Sequence, residues 1–445
     1  MSQLNVLFLA LSGVRIKDRE LRDMGMTLPG FIDRGKTIAE LPSLGLLTLA
    51  GCTPDSWEVS YRELDELDDA AVTGLVNAEP SLVAISALTA RILDAYRIAD
   101  ALRARGVTVV LGGLHVSALP DEAARHADCI VTGQAELVWP QLLDDFESGQ
   151  LQKRYEVPRT GGSPLQRAAA PIPRYDLLDL NDYNRIALQT TRGCPLDCSF
   201  CGASRMIATY QRKPIEQVRR ELDVITGLWE RPFVELADDN TFVDKAWSRD
   251  LVRLLGEYPL RWFTETDLSI ADDEALLDAL ADSGCAQLLI GLESAQRDSL
   301  RGVDSRDWKW QQAEDYAQKI ERIQSRGISV NGCFVLGFDS DDESVFADTL
   351  DMVQALNLAE VQITLLTAFP GTPLYRQLRA EGRLLKEVFW DECTLFDVTF
   401  QPKQMSAEAL RRGFRHLMGE LYSVERVAER QSGHRSRLRQ FKRQR

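Results

Sequence analysis

No stretch of this 445-residue chain is apolar over the ~20 consecutive positions that a membrane-crossing helix requires. The apolar run Val6–Leu11 has no basic region before it and no small-residue cleavage site after it, so it reads as a first β-strand rather than a targeting segment. The expectation is a soluble, cytoplasmic protein with no membrane span. Cysteine is sparse: eight thiols in 445 residues are too few for a disulfide framework, which points to a reducing compartment. Histidine is scarcer still, at four residues. Internal repeats and low-complexity tracts are missing. Positive charge is in deficit, and the net −15 disfavours broad binding to a phosphate backbone, so no nucleic-acid partner is expected. The deficit is uneven, because residues 401–445 hold twelve Lys and Arg against four Glu. That basic end reads as a solvated helical terminus. What remains is an ordinary globular balance, 44% hydrophobic and 27% charged, rich enough for buried cores in two or three domains.

Up to about residue 149, short β-branched apolar runs alternate with helical patterns. Leu4–Ala10, Trp57–Tyr61, Leu82–Ala87, Val107–Gly112 and Asp128–Thr132 read as strands, with helices near 44–52, 65–78, 92–105 and 136–147. Continuous apolar strands separated by helices predict a doubly wound, Rossmann-like parallel sheet covered on both faces, which binds ligands at the carboxyl ends of its strands. The polar stretch Ser12–Glu40 is expected to lie over that edge as a lid. Residues 150–185 are interrupted by Pro158, Gly161, Gly162, Pro164, Pro171 and Pro173 and read as a linker. A second series over 186–382 has strands near 186–191, 232–237, 260–264, 286–291, 328–335 and 359–366, which predicts a partial (β/α)6 barrel of the TIM type with its chemistry on the C-terminal loops. Residues 383–445 form a helical C-terminal extension ending in the basic tail. The fold class is therefore α/β.

Directly after the first strand of the second series stands Thr190-Thr191-Arg192-Gly193-Cys194-Pro195-Leu196-Asp197-Cys198-Ser199-Phe200-Cys201. Three thiols on one tight loop can converge on a small inorganic group. Structural zinc wants a fourth protein ligand, and no Cys or His lies nearby to supply it. Three thiolates on a [4Fe–4S] cluster leave one iron open to a substrate or cofactor.

The spacing of this triplet, with an aromatic before its last cysteine, resembles the radical S-adenosylmethionine superfamily. The resemblance implies that Cys194, Cys198 and Cys201 carry the cluster, that Phe200 shields it, and that S-adenosylmethionine is held at the open iron and split to a 5′-deoxyadenosyl radical. It also implies an external electron donor of the flavodoxin or ferredoxin type. Asp238 and Asp239, in the run Glu235–Asn240, stand where the family has an acidic pair, and Glu293 in Gly291-Leu292-Glu293-Ser294 matches a family feature near the ribose. The competing reading of Asp238-Asp239-Asn240 is a helix-capping turn. Asp267 is a weaker candidate, since relatives often carry an Arg-x-Asp there.

In the first domain, Ser86-Ala87-Leu88 ends the third strand and Gly112-Gly113 the fourth, followed by Gly133-Gln134-Ala135-Glu136. This pattern resembles cobalamin-binding modules of radical enzymes, which implies that Ser86, Leu88, Gly112, Gly113, Gly133 and Glu136 contact cobalamin. The Asp-x-His-x-x-Gly motif that supplies an axial histidine is absent, so His115 reads as a strand-end residue rather than a cobalt ligand. Later stretches, Val330–Asp339, Phe369–Tyr375 and Phe400–Ser406, look like the branch that includes hopanoid C2-methylase-like proteins. The resemblance thus implies a C-methyltransferase acting on an unactivated carbon of a small-molecule or lipid-like substrate through methylcobalamin. Its rivals are a cyclase or rearrangement enzyme with the same cofactors, a radical enzyme whose first domain no longer binds cobalamin, and an Fe–S or corrinoid sensor.

Overall fold

The computed structural model describes residues 3–11, 17–23, 41–64, 69–160, 164–166 and 170–444. Most of the expected lid, Ser12–Glu40, lies outside them. The chain forms two compact units: Met1–Arg15, Ala39–Cys194 and Gly202–Glu230 make the first, and Ile16–Ile38, Pro195–Cys201 and Arg231–Arg445 the second.

The first unit is built on six parallel strands, β1 (Asn5–Leu11), β2 (Glu58–Glu63), β3 (Leu82–Ala87), β4 (Thr108–Gly112), β5 (Cys129–Thr132) and β6 (Arg154–Glu156), in the order β2-β1-β3-β4-β5-β6. The apolar runs that mark the central strands in sequence are buried because helices cover them. Leu44–Cys52 and Trp139–Glu147 supply Leu46, Leu49, Trp139 and Leu142 to a core with Phe8, Val110 and Val131, and the Phe8 and Trp139 rings lie 5.5 Å apart. The winding reverses between β1 and β3, the arrangement that opens a ligand crevice at the carboxyl edge. One strand of this sheet escapes the sequence reading: β6 lies in the stretch read as linker. Three residues flanked by polar loops carry no periodicity, and β6 exists through its pairing with β5 and the burial of Tyr155.

After β7 (Ile186–Leu188) come two short antiparallel strands, β8 (Thr191–Arg192) and β9 (Gln211–Arg212). The second unit has five parallel strands, β10 (Phe233–Leu236), β11 (Arg261–Thr266), β12 (Cys285–Glu293), β13 (Ser329–Leu336) and β14 (Glu360–Leu365), adjacent in that order. Period-2 alternation sorts their residues onto two faces. Val234, Leu236, Trp262, Leu288, Ile290, Val330, Phe334, Val361 and Ile363 are buried on one. The other carries Glu235, Glu265, Leu289, Cys333 and Gln362 and stays partly open. Side-chain caps start the intervening helices: Asp244 accepts from the Trp247 N–H and Asp273 from the Leu276 N–H.

The C-terminal helix Val424–Gln444 is less solvated than its composition suggests. A Cβ at Gly327 would meet Leu438 and Phe441, and Arg437 donates to the Asn357 carbonyl and to Gln324. Arg435, Arg439, Lys442 and Arg443 are exposed on a helix whose Leu438 and Phe441 lie near the start of β13. No helix among the described residues is long and apolar enough to cross a membrane.

Candidate active site

The carboxyl edge of the first sheet brings together most of the residues read as a cobalamin contact. Ser86 and Gly112 are register partners on adjacent strands. Gly113 follows with φ +108°, and a Cβ there would sit 3.1 Å from Ser86 Oγ. At Gly112 a Cβ would make only ordinary contacts, the nearest being the Val131 carbonyl oxygen at 3.7 Å, so packing within the protein does not demand glycine here. Leu88 leaves half of its apolar side chain exposed at the same edge, at 49%. This is a cradle that fits a flat ligand approaching backbone. Gly133 is different: its φ is +80° and a Cβ would lie 2.2 Å from the Val157 carbonyl oxygen, so the fold itself requires glycine there.

His115 is buried, with Nε2 3.3 Å from a Glu122 carboxylate oxygen that also accepts from the Tyr96 hydroxyl. Its ring lies edge-on to Tyr96, with centroids 6.4 Å apart.

The cysteine loop is held from several sides. β8 and β9 close its base, pairing Arg192 with Gln211 and Thr191 with Arg212. Gly193 turns the chain with φ +78°, where a Cβ would meet the Thr209 carbonyl oxygen at 2.8 Å, and its N–H donates to Ser204 Oγ at 2.9 Å. Within the second unit the Ser199 N–H donates to the Val303 carbonyl, the Ser199 carbonyl accepts from the Leu374 N–H, and the Cys201 N–H donates to the Cys198 carbonyl. Phe200 packs edge-on against Phe338, with centroids 5.8 Å apart. No disulfide joins the eight cysteines. No three His, Cys, Asp or Glu side chains among the described residues converge on a single metal ion's position. A cubane would ask for something else, one thiolate for each of three separate irons, and the triplet offers a thiol for each.

Burial pushes the Cys198 thiol up to about 12, and the Lys309 charge opposes that rise. Iron would have to displace a proton from a thiol that holds it firmly, which is the usual work of a coordinating cation.

The acidic residues read as contacts to S-adenosylmethionine fall into different environments. Asp238 is buried and accepts from the Thr241 hydroxyl at 3.0 Å, while Asp239 is half-buried. Asp267 caps the turn that follows it, accepting from the Ser269 N–H and the Asn240 amide, and those hydrogen bonds outweigh burial and hold its carboxyl below the ordinary value. Glu293 sits at the end of β12 in a left-handed conformation, φ +67°, with its carboxylate 2.7 Å from Lys309 Nζ. Lys309 also donates to the Gly291 carbonyl at 2.8 Å, and a Cβ at Gly291 would collide with the Glu293 carboxylate. Burial alone would lower the Lys309 ammonium, but Glu293 holds it well above its ordinary range.

Sequence reasoning missed three features. Glu265 lies on the open face, where protein atoms crowd a side chain that still reaches solvent. Burial, then the negative charges of Glu235, Asp239, Glu293 and Asp238, push its carboxyl up to about 8. Its signal was the alternation that puts it on one face with Glu235. Lys309 left no signal, since nothing in its spacing announces Glu293. The third is a network around Arg192, whose guanidinium donates to Glu136 at 2.7 Å, to Gln189 at 2.8 Å and to Gln134 at 3.2 Å. Burial would raise the Glu136 carboxyl, but Arg192 and then Lys213 hold it below its ordinary value. Glu136 was read as a cobalamin contact, and in the structure its carboxylate is engaged by Arg192.

Comparison with known proteins places these features in context. Residues 34–143 match the B12 binding domain, residues 188–353 the Radical SAM superfamily, and residues 372–445 a domain of unknown function. The bacteriochlorophyllide d C-8(2)-methyltransferase of Chlorobaculum tepidum is 30% identical over 329 residues, 69% of this chain and 70% of that protein. The hopanoid C-2 methylase of Rhodopseudomonas palustris is 26% identical over 356 residues, 78% of this chain and 66% of that protein. Among solved structures, the radical S-adenosylmethionine methyltransferase TsrM of Kitasatospora setae, with cobalamin and a [4Fe–4S] cluster bound, shares the fold at a TM-score of 0.66 and 16% identity, covering 97% of this chain and 91% of that one.

Proposed function

This chain belongs to the cobalamin-binding radical S-adenosylmethionine enzymes, and on that premise we propose that it is a C-methyltransferase that places a methyl group on an unactivated carbon. One observation carries the reading: a single chain combines the Cys194/Cys198/Cys201 loop with a glycine-lined sheet edge whose open side packing leaves free at Gly112. When bound, the cluster supplies one electron to cleave S-adenosylmethionine, and cobalamin supplies the methyl group.

The chain's own residues do the holding and shaping. Cys194, Cys198 and Cys201 ligate the cluster, and Phe200, braced by Phe338, keeps water from it. Asp238 and Asp239 present carboxylates to the ammonium and hydroxyl groups of S-adenosylmethionine. Glu293, neutralised by Lys309, accepts from a ribose hydroxyl without adding a free negative charge. Ser86, Leu88, Gly112 and Gly113 line the corrin cradle. We read the second sheet as a partial barrel whose open face is the reaction chamber, with 1–149, 150–185, 186–382 and 383–445 as cobalamin domain, linker, radical domain and extension.

Relatives named for a bacteriochlorophyllide and a hopanoid support a small-molecule or lipid-like substrate. A cluster with an open iron needs a reductant, which we take to be a flavodoxin or ferredoxin, and a reducing compartment, which we take to be the cytoplasm.

The test is anaerobic turnover with strong reductant. Wild-type chain should form 5′-deoxyadenosine from S-adenosylmethionine, and each single Cys→Ala variant of the triplet should lower the rate to background. With substrate present, product should gain one methylene unit in mass; a product of unchanged composition would indicate cyclisation or rearrangement and overturn the assignment as a methyltransferase.

A further inference from the structure

Glu136 lies in the loop after β5, the loop opened by Gly133 at the cradle edge. Its carboxylate nevertheless meets Arg192, the last residue of β8 and two residues before Cys194. Three further contacts make this more than an isolated ion pair. Arg192 Nη1 donates to Gln134 Oε1, from the same loop as Glu136, at 3.2 Å. The same oxygen accepts from Gln211 Nε2 at 2.8 Å, and Gln211 is the strand partner of Arg192. Gln189, just before β8, accepts from Arg192 through both Nε and Nη2.

Gln134 and Gln211 are almost fully buried, at 1% and 3% exposure, and Arg192 is 9% exposed. A planar guanidinium fixed by three acceptors has one orientation, so the strand stub that delivers Cys194 has one as well. All of these residues belong to the first compact unit.

Resting on the family reading above, we propose that Glu136 and Gln134 are positioning residues for the cluster loop: through Arg192 they fix the first cluster ligand relative to the corrin-side loop. The Glu136 carboxylate works on the protein rather than on cobalamin. The last βα loop of the corrin domain thus doubles as the clamp on the base of the cysteine loop, so one loop sets the placement of both cofactors.

The test uses the full chain, reconstituted anaerobically with iron, sulfide and hydroxocobalamin. Glu136→Gln keeps an acceptor for Arg192 but removes the charge, and Arg192→Lys keeps the charge but loses the fork. In both variants we expect corrinoid affinity, titrated by visible spectrum, to equal wild type. The electron paramagnetic resonance signal of the reduced cluster with S-adenosylmethionine should broaden or shift, and affinity for S-adenosylmethionine should fall by about tenfold or more, as for loss of a group that orients metal ligands. Glu136→Asp should restore part of the signal.

The neutral pair Glu136→Gln with Arg192→Gln removes both buried charges. It keeps the test open if a single variant fails to fold, and it should show the same cluster defect. Loss of corrinoid with an unchanged cluster signal would show that Glu136 contacts cobalamin directly and overturn the proposal. Unchanged behaviour of both cofactors would also overturn it. Failure of wild-type chain to take up corrinoid would instead count against the family reading, whatever the variants do.

Discussion

Individual side chains in this protein were legible from sequence where their chemistry is local. The cysteine triplet is the clearest instance, since its three thiols fall within eight residues and mark the family without knowledge of the fold. Lys309 and Glu265 were not legible, because their roles depend on which groups the fold sets opposite them. Glu265 carries a pH signature. Unfolded, its carboxyl titrates near the ordinary 4.5; folded, near 8. Between those values the folded chain keeps a proton that the unfolded chain has lost, so this group's contribution to stability falls as pH rises and levels off above 8. Glu265→Gln should therefore raise the thermal midpoint above pH 8 and leave it unchanged below 4.5. An equal gain at both ends would mean that the carboxyl is not held protonated. Lys309→Met tests the buried pair with Glu293. Stranding that carboxylate should cost roughly 3–5 kcal/mol in chemical denaturation, and adding Glu293→Gln should recover most of the loss.

Whole elements were read well where burial is two-sided. The central strands of the first sheet are continuous apolar runs, and Leu82–Ala87 stands in the structure with the bounds the sequence suggested. β6 escaped because an edge strand of three residues, one of them charged at each end, is specified by its neighbour rather than by its own pattern. The carboxyl edge of the first sheet separates two glycines that look alike in sequence. Gly133→Ala drives a Cβ against the Val157 carbonyl and should destabilise the unit by about 1–3 kcal/mol, read as a lower denaturation midpoint. Gly112→Ala adds a Cβ that meets only ordinary contacts within the protein, so it should fold with a near-native midpoint and weaken hydroxocobalamin uptake. Normal uptake by Gly112→Ala would show that the cradle lies elsewhere.

At the scale of the whole molecule, the order of the chain reports the order of the chemistry: a doubly wound sheet with a glycine edge, then a thiol loop, then a parallel sheet whose open face gathers carboxylates. The order was legible because each part announces itself by period or motif. The packing of the basic C-terminal helix was not, since Leu438 and Phe441 are two apolar residues in a run of charge and only their contact at Gly327 gives them meaning. We propose that one chain holds both a site-open cluster and a methyl-carrying corrinoid. The decisive experiment incubates anaerobically reconstituted protein with reductant and S-adenosylmethionine labelled in its methyl group, then extracts the corrinoid. Label should appear on protein-bound corrinoid, with 5′-deoxyadenosine formed in the same mixture. Iron and sulfide bound at full occupancy, with no corrinoid retained and no label transferred, would contradict it.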